Sequence, residues 1–365
     1  MKETNNRIIV IQPALPAYRL DFFDKLSFYY GASLKVYYSH ESMGVLTEFG
    51  DVNPWAEKIG NIEPVLPGVE WQHGVFSISI RAGDVIVISG APRCISNMFL
   101  FLKARLCGAK AVWWGHYWSS TTKKHRFILR MLLMRLAHSV LFYTDQEVDE
   151  YRKGMGKLDK RKISALNNGI NTDSIVNLRV PYVSSERPKE LLFIGRLTEK
   201  SEIDLVLKAL AQPGLEDVFL SVIGDGPDTV SFISMTDVLG ISDRVVWHGA
   251  TTDEARIASI ANQCRAFVYP GAVGLSLIHS MAYGLPSIVH DERFLHMPEI
   301  AAFEDGETGV AFHKGDTSDL ANVIRAIIDQ TDVLDYMSKS CLNLTDNSFN
   351  TKKMAKNFID LVSCI

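Results

Sequence analysis

Tyr269-Pro-Gly-Ala-Val-Gly-Leu-Ser-Leu-Ile-His-Ser-Met-Ala-Tyr-Gly-Leu-Pro286 continues a short β-rich apolar run at 266–269 and opens an amphipathic helix near Leu275. A helix that starts just after a strand leaves its first N–H groups without intrahelical acceptors. Those groups and the positive end of the helix dipole converge on one spot, which suits a diphosphate. Gly271 and Gly274 allow phosphate oxygens close to the backbone. Leu275 begins the helix, Ser276 adds a hydroxyl donor in its first turn, and His279 follows one turn later on the same face. Alone, the run reads equally as an ordinary strand–turn–helix whose glycines serve geometry only.

The same alternation continues outward on both sides. Strand-type runs at 190–194, 219–223, 245–248, 266–269 and 287–289 alternate with helical periods at 203–211, 230–239, 253–262 and 275–283. Earlier, strand-type runs at 7–12, 34–38, 84–89, 111–114 and 139–143 alternate with helical stretches at 20–30, 94–106, 122–137 and 146–153. Residues 42–74 read as loops with edge strands, and everything from 318 onward is helical in period. This is the signature of parallel α/β sheets. At 365 residues the chain exceeds the size at which one core stops growing. The polar, proline-bracketed stretch 181–189 reads as a linker. The expected architecture is two Rossmann-like doubly wound α/β domains, 1–180 and 181–349, facing each other across a ligand cleft. The final helix, about 350–365, is a candidate to pack back on the first domain.

Hydrophobic residues at 47% against charged residues at 22% exclude a disordered chain. No apolar run approaches the ~20 residues of a membrane-spanning helix, and the apolar stretch near the start is too short for a secretory signal. The five cysteines, Cys94, Cys107, Cys264, Cys341 and Cys364, show no metal-type spacing and point to a reduced, cytoplasmic setting. Charge is divided unevenly, with 23 Lys+Arg against 16 Asp+Glu through Val180 and 15 against 26 beyond it. The basic first half is the one suited to an anionic surface; chance drift with attraction between the halves is the competing reading.

Two further loops follow strands. Gly195-Arg196-Leu197 leaves the run at 190–194, so Arg196 projects from a strand's carboxyl end, where a guanidinium grips phosphate oxygens with paired donors. A surface pair with Glu199 is the plainer alternative. Gly224-Asp-Gly-Pro227 follows the run at 219–223, and Gly224 and Gly226 are expected to leave a shallow loop for a flat nucleotide base.

Residues 190–316 resemble the donor domain of glycosyltransferase family 4, the retaining enzymes of the GT-B fold. The resemblance rests on Phe193-Ile-Gly-Arg-Leu-Thr198, Val222-Ile-Gly-Asp-Gly-Pro227, Trp247-His-Gly249, Gly274-Leu275, Met281-Ala-Tyr-Gly-Leu-Pro286 and Asp305-Gly-Glu-Thr-Gly309. Asn168-Gly-Ile-Asn171 resembles the turn before the family's interdomain linker. The family carries two glutamates eight positions apart around its Gly-Leu turn, the first on the donor sugar and the second on the ribose. Here Gly271 and His279 stand at those positions, and the family's lysine falls on Ser201, with Lys200 one place short. The resemblance implies a variant lacking the usual glutamate pair, with His279 in reach of a ribose hydroxyl.

The first half resembles the acceptor domain more loosely. Tyr18 and Arg19 lie in the proline-stiffened turn after the first strand, Arg93 follows Ser89-Gly-Ala-Pro92, and Trp118 closes Gly115-His-Tyr-Trp118. These four are the acceptor-binding candidates. A histidine at the place of His116 reaches the reaction centre in relatives, which makes His116 and Arg196 the catalytic candidates; a histidine packed among aromatics is the alternative for His116. Lys123, Lys124, Arg126, Arg130 and Arg135 stud the helix at 122–137. A helical wheel puts Ile128, Leu129, Leu132, Leu133 and Leu136 toward the sheet, and Phe127, Met131 and Met134 outside among cations. That outer side is either a solvated basic face or a contact with an anionic bilayer made by Lys123, Arg126, Arg130 and Arg135.

No Asp-x-Asp occurs, so neither a metal nor any other cofactor is expected, and the leaving diphosphate falls to Arg196, Lys200 and the N–H groups of Gly274 to Ser276. The function implied is transfer of a sugar from a nucleotide-sugar to a saccharide or lipid-linked oligosaccharide of a bacterial surface polysaccharide, such as O-antigen. The expected location is cytoplasmic, peripheral to the inner face of the membrane, with no nucleic-acid partner. Two alternatives stay open: an inactive sugar-nucleotide-binding protein and a sugar-nucleotide epimerase. A dehydrogenase is disfavoured because the first strand's turn lacks Gly-x-Gly-x-x-Gly.

Overall fold

Ile8-Ile-Val-Ile-Gln12 carries no polar alternation, as a parallel strand covered on both faces requires. In the computed structural model, which describes residues 6–39, 41–42, 45–46, 53–118 and 124–365, this strand lies inside a parallel sheet. The sheet's strands are β1 (Ile8–Gln12), β2 (Leu34–Tyr38), β3 (Ala56–Lys58), β4 (Val85–Ser89), β5 (Lys110–Trp114), β6 (Ser139–Phe142) and β7 (Ile163–Ala165), ordered β7-β6-β5-β4-β1-β2-β3. Apolar cores cover both faces, one built on Phe22, Phe23 and Trp114, the other on Phe101, Trp113 and Phe142. An antiparallel hairpin, Ile62–Leu66 with Val69–Gln72, adds to this unit.

A second parallel sheet comprises β8 (Glu190–Ile194), β9 (Phe219–Ile223), β10 (Val245–Gly249), β11 (Ala266–Tyr269), β12 (Ser287–His290) and β13 (Gly309–Phe312), in the order β10-β9-β8-β11-β12-β13. Leu191, Phe193 and Val268 face one core, and Leu192, Phe267 and Leu277 the other. Both halves are doubly wound α/β units, as the alternation predicts.

The chain leaves the first unit at Asn168 and returns to it at Thr351; the second unit is Gly169–Asn350. The expected boundary at 180 is therefore corrected to the Asn168-Gly169 turn. The stretch 181–189 is no free linker, because the second unit satisfies its polar groups. The Tyr182 hydroxyl donates to the Arg265 carbonyl, the Ser184 N–H to Asp335 Oδ1 at 2.8 Å, and Arg187 Nη1 to the Cys264 carbonyl at 2.8 Å. At the crossing, a methyl group on Gly169 would stand 2.1 Å from the Phe349 carbonyl carbon, and Ile170 bridges to Asn350. The last helix, Thr351–Val362, does pack on the first unit: Phe358 meets Phe22 edge-on at 5.9 Å, and Asn357 donates to the Ala165 carbonyl at 3.1 Å.

Candidate functional site

In the second unit the loops after β8, β9 and β11 lie side by side because backbones touch where glycines stand. A Cβ on Gly224, whose φ is +156°, would fall 1.8 Å from the Gly195 carbonyl oxygen, and one on Gly226 would fall 2.0 Å from that of Leu197. The Leu197 N–H donates to the Asp225 carbonyl at 3.0 Å. Gly224 and Gly226 thus serve the seam between two loops, which also explains the glycines without a bound base. Gly271 forms a similar seam on the other side of β8, where a Cβ would lie 2.1 Å from the Lys200 carbonyl oxygen.

The turn after β11 keeps its donors open. Gly274 caps the Leu275–Ala282 helix without a side-chain hydrogen bond, and the Leu277 N–H returns to the Gly274 carbonyl at 3.0 Å. Among the described residues, no acceptor is bound to the N–H groups of Gly274, Leu275 or Ser276. On the neighbouring strand's loop, Arg196 and Lys200 are exposed, and neither makes an ion pair or side-chain hydrogen bond among the described residues. The alternative pairing of Arg196 with Glu199 is absent there.

His279 is engaged by a residue that sequence reasoning missed. Its Nε2 lies 2.8 Å from Glu254 Oε1, and the Tyr283 hydroxyl donates to the same oxygen. Glu254 comes from the first turn of the Glu254–Ala261 helix. Burial pushes its carboxyl up, but the His279 and Tyr283 donors outweigh that and hold it below the ordinary glutamate value. With Glu254 accepting, the His279 ring is fixed in orientation and its Nδ1 is left for another partner. The signal was available: a carboxylate at a helix start beyond a strand's carboxyl end.

A second missed segment floors the turn. The Val273 N–H donates to His296 Nδ1 at 3.2 Å, His296 Nε2 donates to the His290 carbonyl at 2.9 Å, and the Met297 N–H donates to the Val273 carbonyl at 3.0 Å. The buried Glu299 carboxylate would stand 3.8 Å from a Cβ on Gly274. Nothing periodic marks 296–299 in the sequence.

His290 and His296 stack with ring centroids 3.6 Å apart, and neither nitrogen of His290 has a hydrogen-bond partner among the described residues. Burial, then the neighbouring cationic groups, holds His290 down to about 3. Burial likewise holds His296 at about 4. Lys314 and Asp291 are the charged groups felt by the pair. Because both folded values lie below the unfolded ~6.5, the unfolded chain takes up protons first on acidification. Their contribution is complete above pH ~6.5 and is lost progressively toward the folded values, by at most about 1.4 kcal/mol per group per pH unit. Denaturant titrations at pH 7 and pH 5 are expected to show a loss of about 2–4 kcal/mol, reduced in His290→Phe.

In the first unit the candidates Tyr18, Arg19 and His116 meet at the carboxyl ends of β1, β5 and β6. The His116 ring stacks on Tyr143 at 4.3 Å and its Nδ1 is 3.8 Å from Glu147 Oε1. Glu147, also missed, is buried and accepts the N–H groups of Tyr117, Tyr143 and Thr144, tying two strand-end loops together. Arg19 is buried over Trp114 and Tyr143, with the half-exposed Tyr18 beside it. Trp118 is half-buried. Arg93 is committed to the hairpin, pairing with Glu70 at 3.1 Å while its carbonyl accepts the Glu70 N–H, so it braces the fold.

The basic helix spans Lys124–Met134; Lys123 lies outside the described residues. Its wheel is turned relative to expectation. Met131 and Met134 are buried and Phe127 partly buried against the sheet's core, joined by Leu133 and Leu136 as expected, whereas Ile128, Leu129 and Leu132 are exposed. Methionine's flexible thioether fills irregular gaps under a helix better than branched residues do. Arg126 and Arg135 are exposed, while Arg130 is half-buried, donates to the Tyr117 carbonyl at 3.3 Å and is lowered by burial.

Residues 176–343 match the family described as glycosyl transferases group 1. N-acetyl-alpha-D-glucosaminyl L-malate synthase of Bacillus anthracis is 24% identical over 185 residues, 50% of this chain and 48% of that protein. Lipopolysaccharide 1,6-galactosyltransferase of Salmonella typhimurium is 25% identical over 149 residues, 37% of this chain and 38% of its own length. The chain thus spans about half or less of these curated relatives. Among solved structures, Anabaena HepE in complex with UDP superimposes with a TM-score of 0.69 at 14% identity, covering 98% of this chain and all of HepE. The apo lipopolysaccharide outer core galactosyltransferase WaaB gives 0.67 at 16% identity, covering 98% of this chain and 99% of its own. The chain has the GT-B fold, and residues 176–343 of its second unit are similar to the group 1 glycosyl transferases.

Proposed function

We propose that this protein is a retaining, metal-independent glycosyltransferase, a family 4 variant without the usual glutamate pair. The observation that carries the reading is the turn at Gly274–Ser276, whose N–H groups have no acceptor among the described residues, beside a loop presenting Arg196 and Lys200, which are unpaired among them. Amide donors at a helix start and a free guanidinium suit the diphosphate of a nucleotide-sugar as charge develops on it. The UDP complex of HepE is in keeping with such a donor. His279, steadied by Glu254, takes the ribose, and Glu299 supplies the carboxylate for sugar hydroxyls that Gly271 lacks. His116 serves the acceptor side. Screening nucleotide-sugars by thermal shift, then following transfer with and without EDTA, tests this. Stabilisation by one donor with EDTA-insensitive, configuration-retaining transfer is the expected result; no donor bound, or turnover abolished by EDTA, sinks it.

We further propose a saccharide acceptor that is lipid-linked, within bacterial surface polysaccharide assembly, and a peripheral place on the inner face of the cytoplasmic membrane. The lipopolysaccharide enzymes among the relatives support the pathway class. No helix among the described residues is long and apolar enough to cross a membrane. Exposed Ile128, Leu129 and Leu132, flanked by exposed Lys124, Arg126 and Arg135, support surface attachment by insertion beside anionic headgroups. The exposed tip residues Val65 and Leu66 lie near Gly68, where a Cβ would stand 4.0 Å from the Arg126 guanidinium. Replacing Ile128, Leu129 and Leu132 with Ser is expected to cut co-sedimentation with phosphatidylglycerol vesicles by about tenfold or more. The change leaves thermal stability intact because all three side chains are exposed.

A further inference from the structure

Arg19 ends the Ala17–Arg19 turn that follows β1 and stands at the start of the Leu20–Tyr30 helix. It is only 5% exposed. Its guanidinium carbon lies 5.1 Å from the centre of the Trp114 ring, 5.4 Å from Tyr18 and 5.8 Å from Tyr143, the ring on which His116 stacks. Aromatic faces attract a cation but leave the donors in the guanidinium plane unmet. Nη1 has no hydrogen-bond partner, and Arg19 makes no ion pair among the described residues. Acids on neighbouring elements are committed elsewhere: Asp21 to Lys25 and Thr351, and Glu147 to three backbone N–H groups. A guanidinium buried without a counter-charge costs stability.

We propose that Arg19 is the receptor for an oxyanion on the acceptor, a phosphate or a carboxylate, which supplies the counter-charge that no described residue provides. The acceptor is then an anionic saccharide or phosphate-linked saccharide, held with its charged group against the Arg19 fork and its reacting hydroxyl on the His116 side. The aromatic walls exclude water from that fork, which strengthens paired N–H···O contacts. This inference rests on the acceptor role given to the first unit above.

The test uses the full chain, melted in chloride, phosphate or glucuronate at matched ionic strength, as wild type, Arg19→Met and Arg19→Lys. In chloride, Arg19→Met melts at or above the wild-type temperature, since it removes an unpaired buried charge. Phosphate or glucuronate raises the wild-type Tm by several degrees, Arg19→Lys by less than half as much, and Arg19→Met not at all; whichever anion acts identifies the group. Equal shifts in wild type and Arg19→Met, or none in wild type, overturn the proposal. UDP affinity stays within twofold in Arg19→Met, and a tenfold loss would assign the anion to the donor and overturn the acceptor role. If UDP binds neither protein, the donor reading fails while the phosphate comparison still decides the Arg19 site.

Discussion

Arg196→Ala is expected to slow sugar transfer by about 10²–10³-fold, the loss typical when one preorganised donor to developing charge is removed. The side chain is exposed and makes no ion pair or side-chain hydrogen bond among the described residues, so its removal breaks nothing in the fold. Stability should stay within about 0.5 kcal/mol. The leaving diphosphate gains negative charge only as the glycosidic bond breaks, so the loss belongs mainly to kcat, with KM for the donor rising less. Arg196→Lys keeps the charge but not the fork and should recover only a fraction of the rate. Steady-state kinetics with the donor found by screening check this. A rate within threefold of wild type for Arg196→Ala would falsify the assignment of the guanidinium to the leaving group.

The second large effect comes from restoring a family residue. Gly271→Glu rebuilds the first glutamate of the family pattern and is expected to abolish donor binding rather than improve it. A Cβ at 271 meets the Lys200 carbonyl oxygen at 2.1 Å and the Ser201 backbone at 2.8 Å. These are backbone atoms, so no rotamer change relieves the contact, and the loop carrying Lys200 must move. Overpacking of this kind costs about 3 kcal/mol, or roughly 6–12 °C in the Tm of a unit the size of Gly169–Asn350. Gly271→Ala should show most of the same loss, because the clash begins at Cβ. Thermal melts and nucleotide calorimetry on both variants check it. A Gly271→Glu protein that melts normally and binds donor would show that the loop yields, and that the missing glutamate is a simple deletion.

The two variants also show where sequence reading reached and where it stopped. Strands β1, β8 and β11 are legible because a parallel strand buried on both faces must be a continuous apolar run. Strands β3 and β7 have three residues each, and β13 begins on Gly309, so none carries such a run. The turn at Gly274 was readable because strand, glycine and helix are consecutive. Its supports were not: Glu254 reaches His279 across 25 positions and His296 reaches Val273 across 23, through contacts that only the folded sheet creates. For the basic helix, the wheel found an apolar stripe but had no means of saying which stripe the sheet would take. The exposed one turned out to be Ile128, Leu129 and Leu132. Gly224 and Gly226 were legible as turn residues, yet their cause lies in the carbonyls of Gly195 and Leu197 on the adjoining loop.

Phe358 and Leu361 complete the core that Phe22, Val36 and Trp114 begin, although more than 300 positions separate Phe22 from Phe358. During synthesis on the ribosome, that core has to wait, with some of its apolar surface uncovered, until the stretch around 351–362 has emerged. The second unit, contained wholly within Gly169–Asn350, has everything it needs earlier. The order of maturation is thus reversed relative to the order of translation, so early termination just before Thr351 would yield a finished second unit tethered to an aggregation-prone remnant.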